Sequence, residues 1–91
     1  MTWQELAGQV RAGVYEHYKG DRYLVHGLAR DDAGEDAAAN PESVEPFVIY
    51  TRLYERPGIP TSARRLSEFL GEVDTEIGRR PRFTFIGPAS S

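Results

Sequence analysis

The residues with the most chemistry in them fall in one stretch, Gly13 to Ala29, which holds both histidines and the only lysine of the chain. Alternation along an extended backbone sets Tyr15, His17 and Lys19 on one side and Val14, Glu16 and Tyr18 on the other. A histidine titrates near neutrality, so beside a tyrosine or an arginine it can move a proton or hold an anion. Later in the chain Arg64, Arg65, Arg79, Arg80 and Arg82 offer planar forks that suit phosphate or carboxylate. Tyr15, Tyr18, Tyr23, Tyr50 and Tyr54 supply either an aromatic face on which a planar ligand stacks or the filling of a core too small for aliphatic packing alone. From these residues the candidate ligand-binding set is Tyr15, His17, Lys19, Tyr50, Arg64 and Arg82. Each has a plain structural alternative: a half-buried strand histidine, a solvated turn lysine, packing tyrosines, solvated arginines. His26, between Leu24 and Leu28, reads as a core or interface residue. Two histidines with no third ligand at useful spacing do not make a metal site, so no metal and no cofactor is expected. Glycine-rich phosphate loops, nucleophile elbows and catalytically spaced acid pairs are not found in the sequence.

Composition narrows the classes further. Ninety-one residues make one domain with a modest core. The chain contains no cysteine, which excludes disulfides, thiolate metal sites and a cysteine nucleophile. No apolar run reaches the length of a membrane span, and the N-terminus lacks a leader pattern, so a cytoplasmic protein is expected. The net charge of −3 argues against a strong general affinity for nucleic acid. The charge is uneven, however: Asp31 to Glu45 holds six acids and no base, and ten of the 11 bases of the chain are arginine. An arginine-rich, alanine-rich composition is also what a GC-rich genome gives.

The elements that must position the candidate residues follow from pattern. Thr2-Trp3-Gln4-Glu5 is a capping box, and Trp3, Leu6 and Val10 recur at helical spacing, which predicts a helix from Thr2 to Ala12 ending at Gly13. Val14–Tyr18 and Arg22–Arg30 read as two strands around a Lys19-Gly20-Asp21 turn, where glycine supplies positive φ. In the second strand Tyr23, Val25 and Ala29 oppose Leu24, His26 and Leu28, and both faces are fairly apolar. Asp31 to Pro46 reads as an acidic surface loop. Phe47 to Tyr54 is the strongest strand signal, and Glu55 to Pro60 is a turn. Leu66, Phe69, Leu70 and Val73 at i, i+3, i+4 and i+7 predict a helix capped by Thr61 or Ser62. Asp74 to Arg80 turns through Gly78, Pro81 to Ile86 closes the fold as a strand, and Gly87 to Ser91 reads as a frayed tail.

The block Gly13-x-Tyr15-x-His17-Tyr18-Lys19-Gly20-x-x-Tyr23-x-Val25-x-Gly27-x-Ala29 resembles a small bacterial domain family of unknown function. Val48-x-Tyr50 with Leu53-Tyr54, Arg64 with Phe69, and Arg82-Phe83 resemble its later blocks, in the same order. The likeness runs from Gly13 to Ile86. It departs after the second strand, where a His and a Glu-Thr-Glu-like run in the family is Asp31-Asp32-Ala33-Gly34 here. It departs again where the family's Trp is Ser62 and its Pro is Arg65. The resemblance implies a compact β-rich domain and no particular activity.

The expectation is a mainly β, partly open SH3-like barrel of four to five strands, with an N-terminal helix and a short helix before the last strand. Its expected function is a non-enzymatic binding module for an anionic or planar ligand, a nucleotide or single-stranded nucleic acid. The alternatives are a small enzyme with His17 as general base, and a protein–protein adaptor or homodimer. A membrane partner is not expected.

Overall fold

The computed structural model describes residues 2–30 and 44–89. The bulk of the acidic loop and the end of the expected tail therefore lie outside the described residues. The chain is mainly β. Strand β1 (Gly13–His17) turns through Gly20 into β2 (Arg22–Ala29), which pairs with β3 (Phe47–Arg52), which pairs with β4 (Thr61–Arg65). After one helical turn, α2 (Leu66–Phe69), come β5 (Glu72–Thr75) and β6 (Gly78–Pro81), and then β7 (Phe83–Gly87). Strand β7 returns to the free side of β1, giving a five-stranded antiparallel sheet ordered β4-β3-β2-β1-β7, with β5 and β6 a separate hairpin. The sheet is partly open and does not close into a barrel, because β4 and β7 stand at opposite edges.

One face of this sheet carries the core: Tyr15, Val25, Val48, Tyr50 and Phe83 from the strands, with Leu66 and Phe69 of α2 laid against them. The N-terminal helix α1 (Trp3–Ala7) packs Trp3, Leu6 and Ala7 onto its margin. The capping box forms as expected, with Thr2 Oγ1 accepting from the Glu5 amide at 3.2 Å and the Thr2 amide donating to Glu5 Oε2 at 3.4 Å. The helix stops at Gly8 instead of reaching Ala12. Glycine costs about 1 kcal/mol against alanine inside a helix, and so short a helix cannot absorb it. Gly13 is not a helix cap but the first residue of β1.

Two further expectations are corrected. The predicted helix from Thr61 or Ser62 is a strand over 61–65 followed by a single turn. Residues Thr61, Ser62, Ala63, Arg64 and Arg65 lie opposite Thr51, Tyr50, Ile49, Val48 and Phe47, so the edge of β3 supplies the backbone partners. Strand pairing at an edge outweighs weak local preference. The turn expected over 74–80 is a hairpin, with Glu72, Val73, Asp74 and Thr75 opposite Pro81, Arg80, Arg79 and Gly78, so Pro81 ends β6 and β7 starts at Phe83. Gly87, expected in the tail, pairs with Val14.

A bulge in β2 decides which side chains face the core. Val25 lies opposite Tyr50 and Gly27 opposite Ile49, leaving His26 as the extra residue. An extra residue shifts the alternation by one. Leu28, expected on the His26 face, instead sits opposite buried Val48 on the core face, and Ala29 moves to the outer face opposite Phe47. His26 is exposed, and its Nε2 is 2.7 Å from Thr51 Oγ1, which is 2.7 Å from Thr61 Oγ1. It is a cross-strand polar ladder on the outer face, not a core histidine.

Candidate functional site

The ends of β1 and β3 and the starts of β2 and β7 come together at one end of the sheet. Phe83 forms the floor there. Its ring stacks on Phe69 at 4.4 Å, and the rings of His17, Tyr50 and Tyr23 meet it edge-on at 5.1, 5.6 and 5.8 Å. Edge-to-face contacts of this kind hold rings in fixed orientations. Tyr23 lies between His17 at 6.4 Å and Tyr54 at 5.7 Å, and the hydroxyls of Tyr23 and Tyr54 are 2.9 Å apart. Burial first, and then the bond to Tyr54, push the Tyr23 phenol well above its ordinary range, so it stays protonated.

His17 is half-buried at the rim of this floor. The hairpin turn fixes it from both sides: its amide donates to the Asp21 carbonyl at 2.7 Å, and its carbonyl accepts from Gly20 at 2.7 Å. The Lys19 amide donates to His17 Nδ1 at 3.2 Å. Burial lowers the ring's proton affinity below the ordinary 6.5, and Arg64, Lys19 and Arg82 lower it further, against a small opposing effect of Asp21. A neutral ring whose Nδ1 accepts a bond carries its proton on Nε2. The free nitrogen of His17 is thus assigned as a donor.

The arginines are held by backbone and floor. Arg64 Nε donates to the Tyr50 hydroxyl at 3.2 Å, and the guanidinium lies 5.8 Å above the Phe83 ring, 3.7 Å from Glu68 Oε2. Arg82 is pinned through its main chain, which donates to the Gly71 carbonyl at 2.9 Å and accepts from Tyr18 at 3.0 Å. Its Nε is buried and makes no hydrogen bond to the described residues. An unpaired buried donor costs roughly 1–3 kcal/mol.

Of the six candidates, the fold groups His17 and Arg64 around Phe83; Arg82 is near enough to His17 to lower its proton affinity, and Lys19 is exposed at the edge, its ammonium 5.8 Å over Tyr18. Tyr15 and Tyr50 lie beneath in the core at 5% and 6% exposure. Tyr15 is occupied there: its hydroxyl donates to the Arg11 carbonyl and accepts from the Arg11 amide, both at 3.0 Å. The small cleft of about 140 Å³ that His17 lines is shared with Arg80, Pro81 and Thr84, and Arg64 is not in its wall. The arrangement is a cationic patch over an aromatic floor, not an enclosed pocket. The candidate set omits Phe83, and it omits Tyr23 and Tyr54, which the sequence offers only as part of a general aromatic face or core filling, although Tyr23 shares the alternation of Val25 and so belongs on the core face.

The match to known proteins covers this whole assembly. The family described as a protein of unknown function, DUF1653, matches residues 13–85. The chain belongs to the DUF1653 family. A crystal structure of a DUF1653 protein from Bordetella bronchiseptica is similar at 45% identity and a TM-score of 0.76, over 93% of this chain and 97% of that one. Comparison with curated proteins gives no match. In this DUF1653 chain every residue of the patch, from His17 to Phe83, lies inside the matched span, whereas α1 lies before it.

Proposed function

We propose that this DUF1653 domain is a binding module whose ligand carries an anionic group, seated between His17, Arg64 and Arg82, with a planar part as in a nucleotide or single-stranded nucleic acid. The observation that carries the reading is the Arg64 guanidinium held over the Phe83 ring that His17 also contacts, with Lys19 and Arg82 acting on the same imidazole. Three cations act on His17 against the carboxylates of Glu68, which pairs with Arg64, and Asp21; such an excess favours an anion, and a planar guanidinium favours phosphate or carboxylate. The neutral tautomer of His17 supports binding over general-base chemistry, since its free nitrogen donates a proton to a bond rather than accepting one.

The test is an NMR titration with inorganic phosphate at low salt, following the His17 ring protons and the Lys19 amide. Saturable shifts at these groups are expected, and Arg82→Gln should weaken binding at least tenfold while the unfolding temperature stays within a few degrees of the parent. Unmoved His17 and Lys19 signals at high phosphate would sink the proposal.

A further inference from the structure

Beside the patch lies a second, larger concavity of about 630 Å³, formed by the chain between β3 and β4 and lined by Arg52, Tyr54, Glu55, Pro57, Gly58 and Pro60. It is wide and opens broadly to solvent. Its shape is set by Arg52. The Arg52 guanidinium donates to the carbonyls of Ile59 and Gly58, each at 2.9 Å, and to that of Arg56, and its amide donates to Pro60 at 3.1 Å. The Leu53 amide ties the start of the same segment to Arg22 at 2.9 Å. The segment is therefore fixed before any ligand arrives. It presents Tyr54, half-buried, with one side in the concavity and its hydroxyl on Tyr23, the ring that also contacts His17. The open patch and the concavity are thus linked through the Tyr23 ring, 6.4 Å from His17 and 5.7 Å from Tyr54.

We infer that the ligand is a nucleoside monophosphate, with its phosphate between His17, Arg64 and Arg82 and its base lying against Tyr54 in the Arg52-braced cleft. The inference rests on the anion reading above and adds where the planar half sits and how large the ligand is. Tyr54 lines the concavity together with Pro57 and Pro60, and a tyrosine ring offers a stacking surface for any base, since every base has a π-face. A single nucleotide fits better than a strand. Strand binding needs a track of cations, one for each further phosphate. Here the Arg52 guanidinium is taken up by backbone carbonyls, Glu55 lines the cleft beside Arg56, and Glu68 pairs with Arg64, so carboxylates interrupt the cations along this path.

The experiment is a comparison of inorganic phosphate, ribose 5-phosphate, adenosine 5′-monophosphate and a short oligoadenylate on the full chain, by NMR with the Gly58 amide and His17 ring as reporters. The monophosphate should bind about tenfold tighter than ribose 5-phosphate and move both reporters, while inorganic phosphate moves His17 alone. Tyr54→Ala should abolish the tenfold gain and leave ribose 5-phosphate binding intact. Tyr54→Phe, which keeps the ring, should retain the gain and shows that a loss in the alanine variant is not misfolding. Equal binding of the monophosphate and ribose 5-phosphate overturns the inference but not the anion reading. No binding of any phosphate overturns both. Oligoadenylate binding tenfold tighter than the monophosphate overturns the single-nucleotide assignment in favour of a strand.

Discussion

His17 shows how a side chain's environment becomes a measurable property. Its folded-state proton affinity lies below 6.5, through burial first and then Arg64, Lys19 and Arg82. The unfolded chain therefore takes up this proton at a higher pH than the folded one, and stability falls as pH drops from 6.5 towards the lowered folded value. His17→Gln should remove that part of the pH dependence, so its unfolding temperature should fall less than the parent's between neutral and mildly acidic pH. An NMR titration of the ring should place its midpoint below 6.5, and Arg64→Gln should raise it only in part, because burial is the larger cause. Phosphate bound at the patch should raise the midpoint, since an anion favours the charged ring. Tyr15 carries a different residue-scale expectation. Tyr15→Phe loses both bonds to Arg11 and should cost about 1 kcal/mol in urea unfolding, with no effect on phosphate binding.

At the scale of elements, glycine and arginine positions separate cleanly. Gly13 opens β1 with φ +145°, and a Cβ there would stand 2.7 Å from the Gly87 carbonyl and 2.9 Å from the Phe85 ring. Gly20 has φ +103° but open space around it. Gly13→Ala should therefore cost several times more than Gly20→Ala, which carries only backbone strain of about 1 kcal/mol; thermal or urea melts of the two variants decide this. Arg52→Ala should raise amide exchange over residues 53–60 with a smaller change in the unfolding temperature, because it frees three carbonyls of one segment and leaves the core intact. The elements also show where sequence is a good guide. The hairpin around Gly20 and the Thr2 capping box form as read, because each is fixed by neighbours within four residues. The stripe of Leu66, Phe69, Leu70 and Val73 behind a cap at Thr61 or Ser62 predicts a helix through 61–65, and only the edge of β3 makes that stretch a strand. The N-terminus of α2 is likewise capped from afar, with Glu45 Oε1 accepting from the Ser67 amide at 3.3 Å and its hydroxyl at 2.7 Å.

Across the whole molecule, a net charge of −3 coexists with a cationic end of the sheet, so binding at the patch is a local effect that salt should screen. Phosphate affinity should fall steadily as potassium chloride is added, and a salt-independent affinity would point to a contact other than the arginines. No helix among the described residues is long and apolar enough to cross a membrane.

The alternating Tyr, Val and Phe pattern of the strands, the turn glycine and the first block determined from sequence alone that the chain is a β-rich domain, and residue chemistry put Tyr15, His17, Lys19, Tyr50, Arg64 and Arg82 into one candidate set. Those features are local, since period-two patterning and positive φ act within a few residues. What only the tertiary structure decided is non-local. The His26 bulge puts Leu28 on the face of Val48, and β3 turns a stretch expected to be helical into an edge strand. The ring of Phe83, 66 positions after His17 in the chain, brings that imidazole and the Arg64 guanidinium onto one floor. Such juxtapositions depend on which strands pair, and pairing is settled by the burial of a shared core, which no stretch of sequence contains by itself.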